Sequence, residues 1–143
     1  MNSERREEAQ QKDHRVYKSC KEFLHRLPSL KEAQNKELLD HVNKIGEVLA
    51  KKVRMSQLRR VLDAFEKIRS AVRTRKGSID ISQEVQLLKI HLAYAAGRQN
   101  KLKPLHEVLS RAIDKVQDLD DFKKLSQFIE GLVAYHKFHG GEE

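Results

Sequence analysis

With 143 residues, 38% of them hydrophobic, the chain fits one domain, 1–143, around a single core. Apolar runs of only a few residues exclude a bilayer span of ~20 residues, the Met1 end (MNSERREEAQQKD) lacks an apolar signal core, and a lone Cys20 excludes an internal disulfide. A charged fraction of 35%, a net charge of +8 and abundant Lys, Glu, Gln and Leu, with no Trp and two Pro, favour helix over strand. The expectation is an all-α, compact bundle of about six amphipathic helices, soluble and cytoplasmic, with no membrane partner.

In chain order, Val16, Cys20, Phe23, Leu24 and Leu27 mark one face of a first helix, whereas residues 1–13 lack that stripe and should be frayed or exposed. Pro28 disfavours helical geometry at Leu27, so Ser29 is the expected cap of a second helix with Leu38, Val42, Ile45 and Leu49 inward, ending near Lys51 or Lys52. Ser56 is the expected cap of a third, which turns Leu58, Val61, Leu62, Phe65, Ile68 and Val72 to the core. The loop from Thr74 to Asp80 contains Gly77 and should be a mobile finger carrying Arg75 and Lys76. Ser82 should cap a fourth helix (Val85, Leu88, Leu92, Ala95) that stops at Gly97. Pro104 opens a fifth (Leu105, Val108, Leu109, Ala112, Ile113, Val116). Asp118 or Asp120 caps a sixth (Phe122, Leu125, Ile129, Leu132, Val133), which Gly140 and Gly141 end.

Charge is concentrated in one stretch. From Lys51 to Lys76, ten cations face two acids, Asp63 and Glu66, a surplus equal to that of the whole chain, so the remainder is neutral in sum. Such focusing suits a surface that meets a polyanion, since each phosphate contact releases counterions; a solvated helix face is the plainer alternative. At about 100° per residue, Arg59, Arg60 and Lys67 point away from the apolar stripe, and Arg69 and Arg73 lie at its margin. Arg59 and Lys67 can each reach Asp63 at i±4, pairs worth only about 0.2–0.5 kcal/mol.

Catalytic patterns are missing. The seven histidines are dispersed, the nearest to a ligand pair being His136 with His139, and Glu22-x-x-His25 has no second copy to complete a di-iron set. Cys20 lies in the apolar stripe and reads as a core residue rather than a nucleophile. There is no phosphate-cradling Gly-rich loop, nucleophile elbow or dinucleotide fingerprint. No catalytic residue, metal or cofactor is therefore assigned. Tyr94 and Tyr135, in apolar helices, read as packing residues.

Three phrases go further: Lys52 to Leu62 (KVRMSQLRRVL), Ile90 to Arg98 (IHLAYAAGR) and Phe128 to Phe138 (FIEGLVAYHKF). In that order they resemble the small helical subunit of type III-A CRISPR interference complexes, the Csm family, from about Lys52 onward; the first 51 residues match in helical character only. The resemblance implies a non-catalytic part in antiviral defence. Copies would stack along the complex and line the channel where guide RNA pairs with target RNA, while cleavage and signalling belong to other subunits. Its partners would be single-stranded target RNA, guide RNA, the other Csm subunits and further copies of itself, with a homodimer as one form of self-association.

Residues and resemblance together assign RNA-backbone contacts to Lys52, Arg54, Ser56, Gln57, Arg59, Arg60 and Arg98, near the positive end of the third helix. Arg69, Arg73, Arg75, Lys76, His136 and Lys137 form a secondary set. Phosphate contacts carry no sequence information, so little sequence preference is expected. The alternative is a protein–protein adaptor whose basic face docks an acidic partner. A helix-turn-helix DNA reader is disfavoured because the outward residues of the third helix are nearly all charged, with little beyond Gln57 suited to base readout.

Overall fold

A computed structural model describes residues 3–143, apart from the side chain of Lys76. Seven α-helical segments follow one another: α1 (Ser3–Arg26), α2 (Asn35–Lys52), α3 (Arg59–Arg75), α4 (Ile81–Gln86), α5 (Leu88–Arg98), α6 (Lys103–Asp114) and α7 (Leu119–Phe138). Segments α4 and α5 are one helix interrupted at Leu87, whose backbone stays near helical values, so six helices and no strand are present among the described residues. Short 3₁₀ turns at Leu30–Glu32, Met55–Leu58, Lys76–Ser78 and Asn100–Leu102 fill most of the connections.

The apolar stripes come together as the periodicity requires. Leu24, Leu38, Val42, Ile45, Leu49, Leu88, Leu105, Ile113, Leu125 and Phe128 are essentially inaccessible and belong to one contiguous core. Each such side chain contributes about 1.5–3 kcal/mol relative to exposure. Phe65 of α3 stacks on Phe122 of α7 with ring centroids 5.6 Å apart. Cys20 is fully buried, and burial pushes its thiol up to about 12, so it is a packed, protonated side chain and no nucleophile. The first helix reaches back to Ser3, but its residues to Lys12 stay exposed.

Helix boundaries depart from expectation at several points, and at the start of α2 a distant acceptor outcompetes the local cap. Ser29 makes no side-chain cap; Leu30 N–H bonds to Lys115 O at 2.9 Å and Lys31 N–H to Asp121 Oδ1 at 2.7 Å, which delays α2 to Asn35. Asp80, rather than Ser82, caps α4 by accepting from Gln83 N–H, and the Ser82 hydroxyl donates to Asp80 Oδ1. Gly97 lies inside α5, which ends at Arg98 and leaves through an extended Gln99. Helix α3 continues to Arg75 and passes into a 3₁₀ turn, so the expected finger is mostly helix. Asp118 does cap α7, accepting from Asp121 N–H at 3.0 Å, and α7 ends ahead of a positive φ of 85° at Gly140.

Two features hold α7 in place. It forms the most extensive helix pair with α2, and the two backbones approach closely at Gly46, where a Cβ would lie 2.6 Å from Tyr135 Cβ and 3.1 Å from Tyr135 C. At its start, buried Asp121 spends both carboxylate oxygens on main-chain donors, Lys31 N–H and Gln117 N–H.

Gly46→Ala is expected to destabilise the protein by about 1–3 kcal/mol through overpacking, even though Ala ordinarily gains about 1 kcal/mol over Gly inside a helix; a urea midpoint equal to or above that of the wild type would show that α2 and α7 can separate freely. Asp121→Ala should cost about 1–3 kcal/mol for each donor it orphans, read in the same unfolding curve.

Candidate nucleic-acid interface

The basic stretch begins where α2 stops. Val53 is buried and its N–H closes the helix on Leu49 O, which leaves Lys52 and Arg54 on either side of an anchored residue. From there Arg54 is extended, its N–H donating to Gln57 Oε1 at 2.9 Å, and buried Leu58 pins the 3₁₀ turn before α3 starts at Arg59. Ser56 is inside that turn, not at a helix cap. Its N–H bonds to Glu143 O at 2.7 Å and Met55 N–H bonds to Glu142 O at 2.9 Å. At the place where a Ser56 cap was expected to meet phosphate, both donors are filled by the acidic segment that follows α7.

Helices α3 and α5 lie side by side, and their near ends enclose a groove of about 440 Å³. Arg59, Arg60 and Asp63 come from α3, Tyr94 and Arg98 from α5, with Ser56, Gln57 and Gln99 at its border. A second hollow of about 350 Å³, sharing Gln57 and Gln99, takes in Lys52, Arg54 and Glu142. All seven primary candidates therefore meet on one continuous surface.

Pairing distinguishes the two hollows. Lys52 is 3.8 Å from half-buried Asp13 of α1, and Arg54 is 3.4 Å from Glu142 in a solvent-exposed pair of the kind worth about 0–1 kcal/mol. Arg59, Arg60 and Arg98 have no carboxylate within ion-pair distance among the described residues; Asp63, although in the groove, bridges to none of them. Arg60 instead lies over the Tyr94 ring, 4.2 Å from its centroid, and Arg98 donates to the Tyr94 hydroxyl at 3.3 Å. That hydrogen bond, then the charges of Arg60 and Arg98, holds the Tyr94 phenol below its usual pKa.

Tyr94 corrects the packing expectation: it is 42% exposed. The signal was present, because Tyr94 lies about 200° around the helix from inward Leu92 and four residues before Arg98. Tyr135 is partly buried against the core, as expected.

The secondary candidates separate. Arg69 is bridged to Glu66 at 3.5 Å and to Glu130 of α7 at 2.5 Å, facing away from the groove. Arg73 and Arg75 are exposed but sit roughly 20 Å further along α3; the side chain of Lys76 is outside the described residues. His136 is a correction: it is 2% exposed and its Nε2 is 2.9 Å from Val53 O, so it cannot reach a phosphate. With a carbonyl as partner, Nε2 must carry the proton. Its role is to tie α7 to the corner between Lys52 and Arg54. Neighbouring Lys137 is exposed.

The sequence model of the Csm2 Type III-A family matches residues 32–142. The chain belongs to the Csm2 Type III-A family. A curated relative from Streptococcus thermophilus, described as CRISPR system Cms protein Csm2, is 29% identical over 90 residues, which cover 62% of this chain and 74% of the relative. Membership makes this chain a small subunit of a type III-A CRISPR Csm complex. The match starts at residue 32, earlier than the resemblance legible from Lys52 onward, and takes in α2 as well as every residue of both hollows. All of α1 lies outside it.

His136→Ala removes the donor to a buried carbonyl, an expected loss of about 1–3 kcal/mol. Hydrogen exchange should also speed up at Met55 and Ser56, while Lys137→Ala leaves both stability and exchange unchanged.

Proposed function

We propose that this Csm subunit is a non-catalytic RNA-binding component of the type III-A effector complex, holding the phosphate backbone of target RNA or of the guide–target duplex without sequence preference. Its contribution to antiviral defence is then mechanical: it supplies cationic wall, while RNA cleavage belongs to other subunits in the cytoplasm. The observation that carries this reading is the collection of Arg59, Arg60 and Arg98, from two helices, in one groove with no carboxylate bridged to them among the described residues.

Guanidiniums left unpaired on a concave surface focus positive potential there, and their planar forks match phosphate oxygens. Lys52 and Arg54 extend the track along the adjoining hollow. Backbone contacts position a strand without reading it, so sequence would be supplied by the guide. Stacked copies of the subunit would repeat the groove and lengthen the track, and an isolated copy would bind weakly.

Arg59→Ala and Arg98→Ala should each lower affinity for unrelated single-stranded RNAs to the same extent. Each should also flatten the plot of log K against log salt by about 0.7 per lost contact. Far-UV circular dichroism should not change, nor should binding by Lys36→Ala, at the far end of α2. Arg59→Ala binding as tightly as the wild type at both low and high salt would reject the assignment.

A further inference from the structure

A groove that gripped phosphate alone would need guanidiniums and no ring. Here Tyr94 is 42% exposed in the groove wall, and its orientation is set from two sides: the Arg60 guanidinium lies 4.2 Å over the ring and Arg98 donates to the hydroxyl at 3.3 Å. Two amide side chains at the border are also turned. Gln57 Oε1 accepts from Arg54 N–H at 2.9 Å and Gln99 Oε1 from Lys101 N–H at 3.3 Å. Each therefore keeps its NH₂ donors without a protein partner among the described residues. The volume of about 440 Å³ is within the ~300–1,000 Å³ of small-ligand pockets.

An aromatic–guanidinium layer, directed amide donors and surplus cations are together the complement of one nucleotide: a π face, carbonyl or hydroxyl oxygens, and phosphates. We propose that the groove receives a single unpaired nucleotide of an RNA strand, its base stacked on the layer formed by Tyr94 and Arg60. Base or ribose oxygens accept from the Gln57 and Gln99 amides, and the flanking phosphates meet Arg59 and Arg98. The inference rests on the backbone-binding reading and deepens it. A base inside a duplex has both faces covered, so this site selects single-stranded RNA.

The experiment compares full-length wild type, Tyr94→Phe and Tyr94→Leu by fluorescence anisotropy on two labelled probes, a uridine oligonucleotide and an abasic ribose-phosphate oligomer of equal length. Circular dichroism checks the fold, which an exposed side chain should not disturb. Tyr94→Leu is expected to lose about tenfold or more in affinity for the uridine probe, Tyr94→Phe to keep most of it, and all three proteins to bind the abasic probe alike. An equal loss on both probes, or no loss on either, overturns the stacking site while leaving backbone binding in place. Failure of the wild type to bind either probe overturns both.

Discussion

The close contact of α2 with α7 is the constraint on which the rest of the structure depends. Gly46 has no side chain, so the Tyr135 main chain can come within van der Waals distance of α2, and this sets the register of the two helices. In that register His136 falls beneath the Val53 carbonyl. Val53 is thereby buried at the point where α2 gives way to the 3₁₀ turn, and the direction of α3 follows from how that turn is held. The groove is thus assembled remotely. Nothing on α7 lines it, yet displacement of α7 would release the corner from which α3 departs.

Electrostatics in the groove differs from that elsewhere on the surface. Lys21, Lys31, Lys44 and Lys89 each have a carboxylate within 3.1 Å. Among the described residues, Arg59, Arg60 and Arg98 converge with Asp63 as the one acid lining their groove, and none of them bridges to it. Like charges so placed repel, and the Tyr94 quadrupole attracts Arg60 by only about 0.5–1 kcal/mol at an exposed site. The folded state tolerates this repulsion because solvent screens it, and a bound polyanion would remove it. An adaptor docking an acidic protein would draw on the same charges, but it would give no use to an oriented aromatic ring or to the directed amides of Gln57 and Gln99.

What could be read from the sequence follows from the range of the interactions involved. Stripes such as Leu38, Val42, Ile45 and Leu49 were legible because burial acts with the helical period on every turn. The Asp118 cap was legible because its partner is three residues away. Ser29 and Ser56 misled because the decisive partners, Asp121 for Lys31 N–H and Glu142 with Glu143 for Met55 and Ser56, lie some 90 residues on. No local pattern reports such a bond. His136 misled for the same reason, its acceptor being Val53 O. Tyr94 was different: the helical phase already placed it outward, and only the apolar character of its neighbours argued otherwise.

The two hollows are unequal as candidate anion sites, and the reason is competition from within the chain. At the corner, an incoming phosphate must displace Glu142 from Arg54 and the segment after α7 from Met55 and Ser56 N–H before it gains those donors. The Arg54 pair is weak, with both side chains about 70% exposed, but the two main-chain bonds at 2.9 and 2.7 Å are not. In the groove between α3 and α5, a phosphate on Arg59 or Arg98 has no bridged carboxylate to displace among the described residues, although Arg98 also donates to the Tyr94 hydroxyl. Affinity for a phosphate backbone would therefore be set mainly by the α3–α5 groove, with Lys52 and Arg54 extending the track as weaker contacts. On that ordering of energies, the proposed RNA strand would be held first in the open groove and not at the helix start.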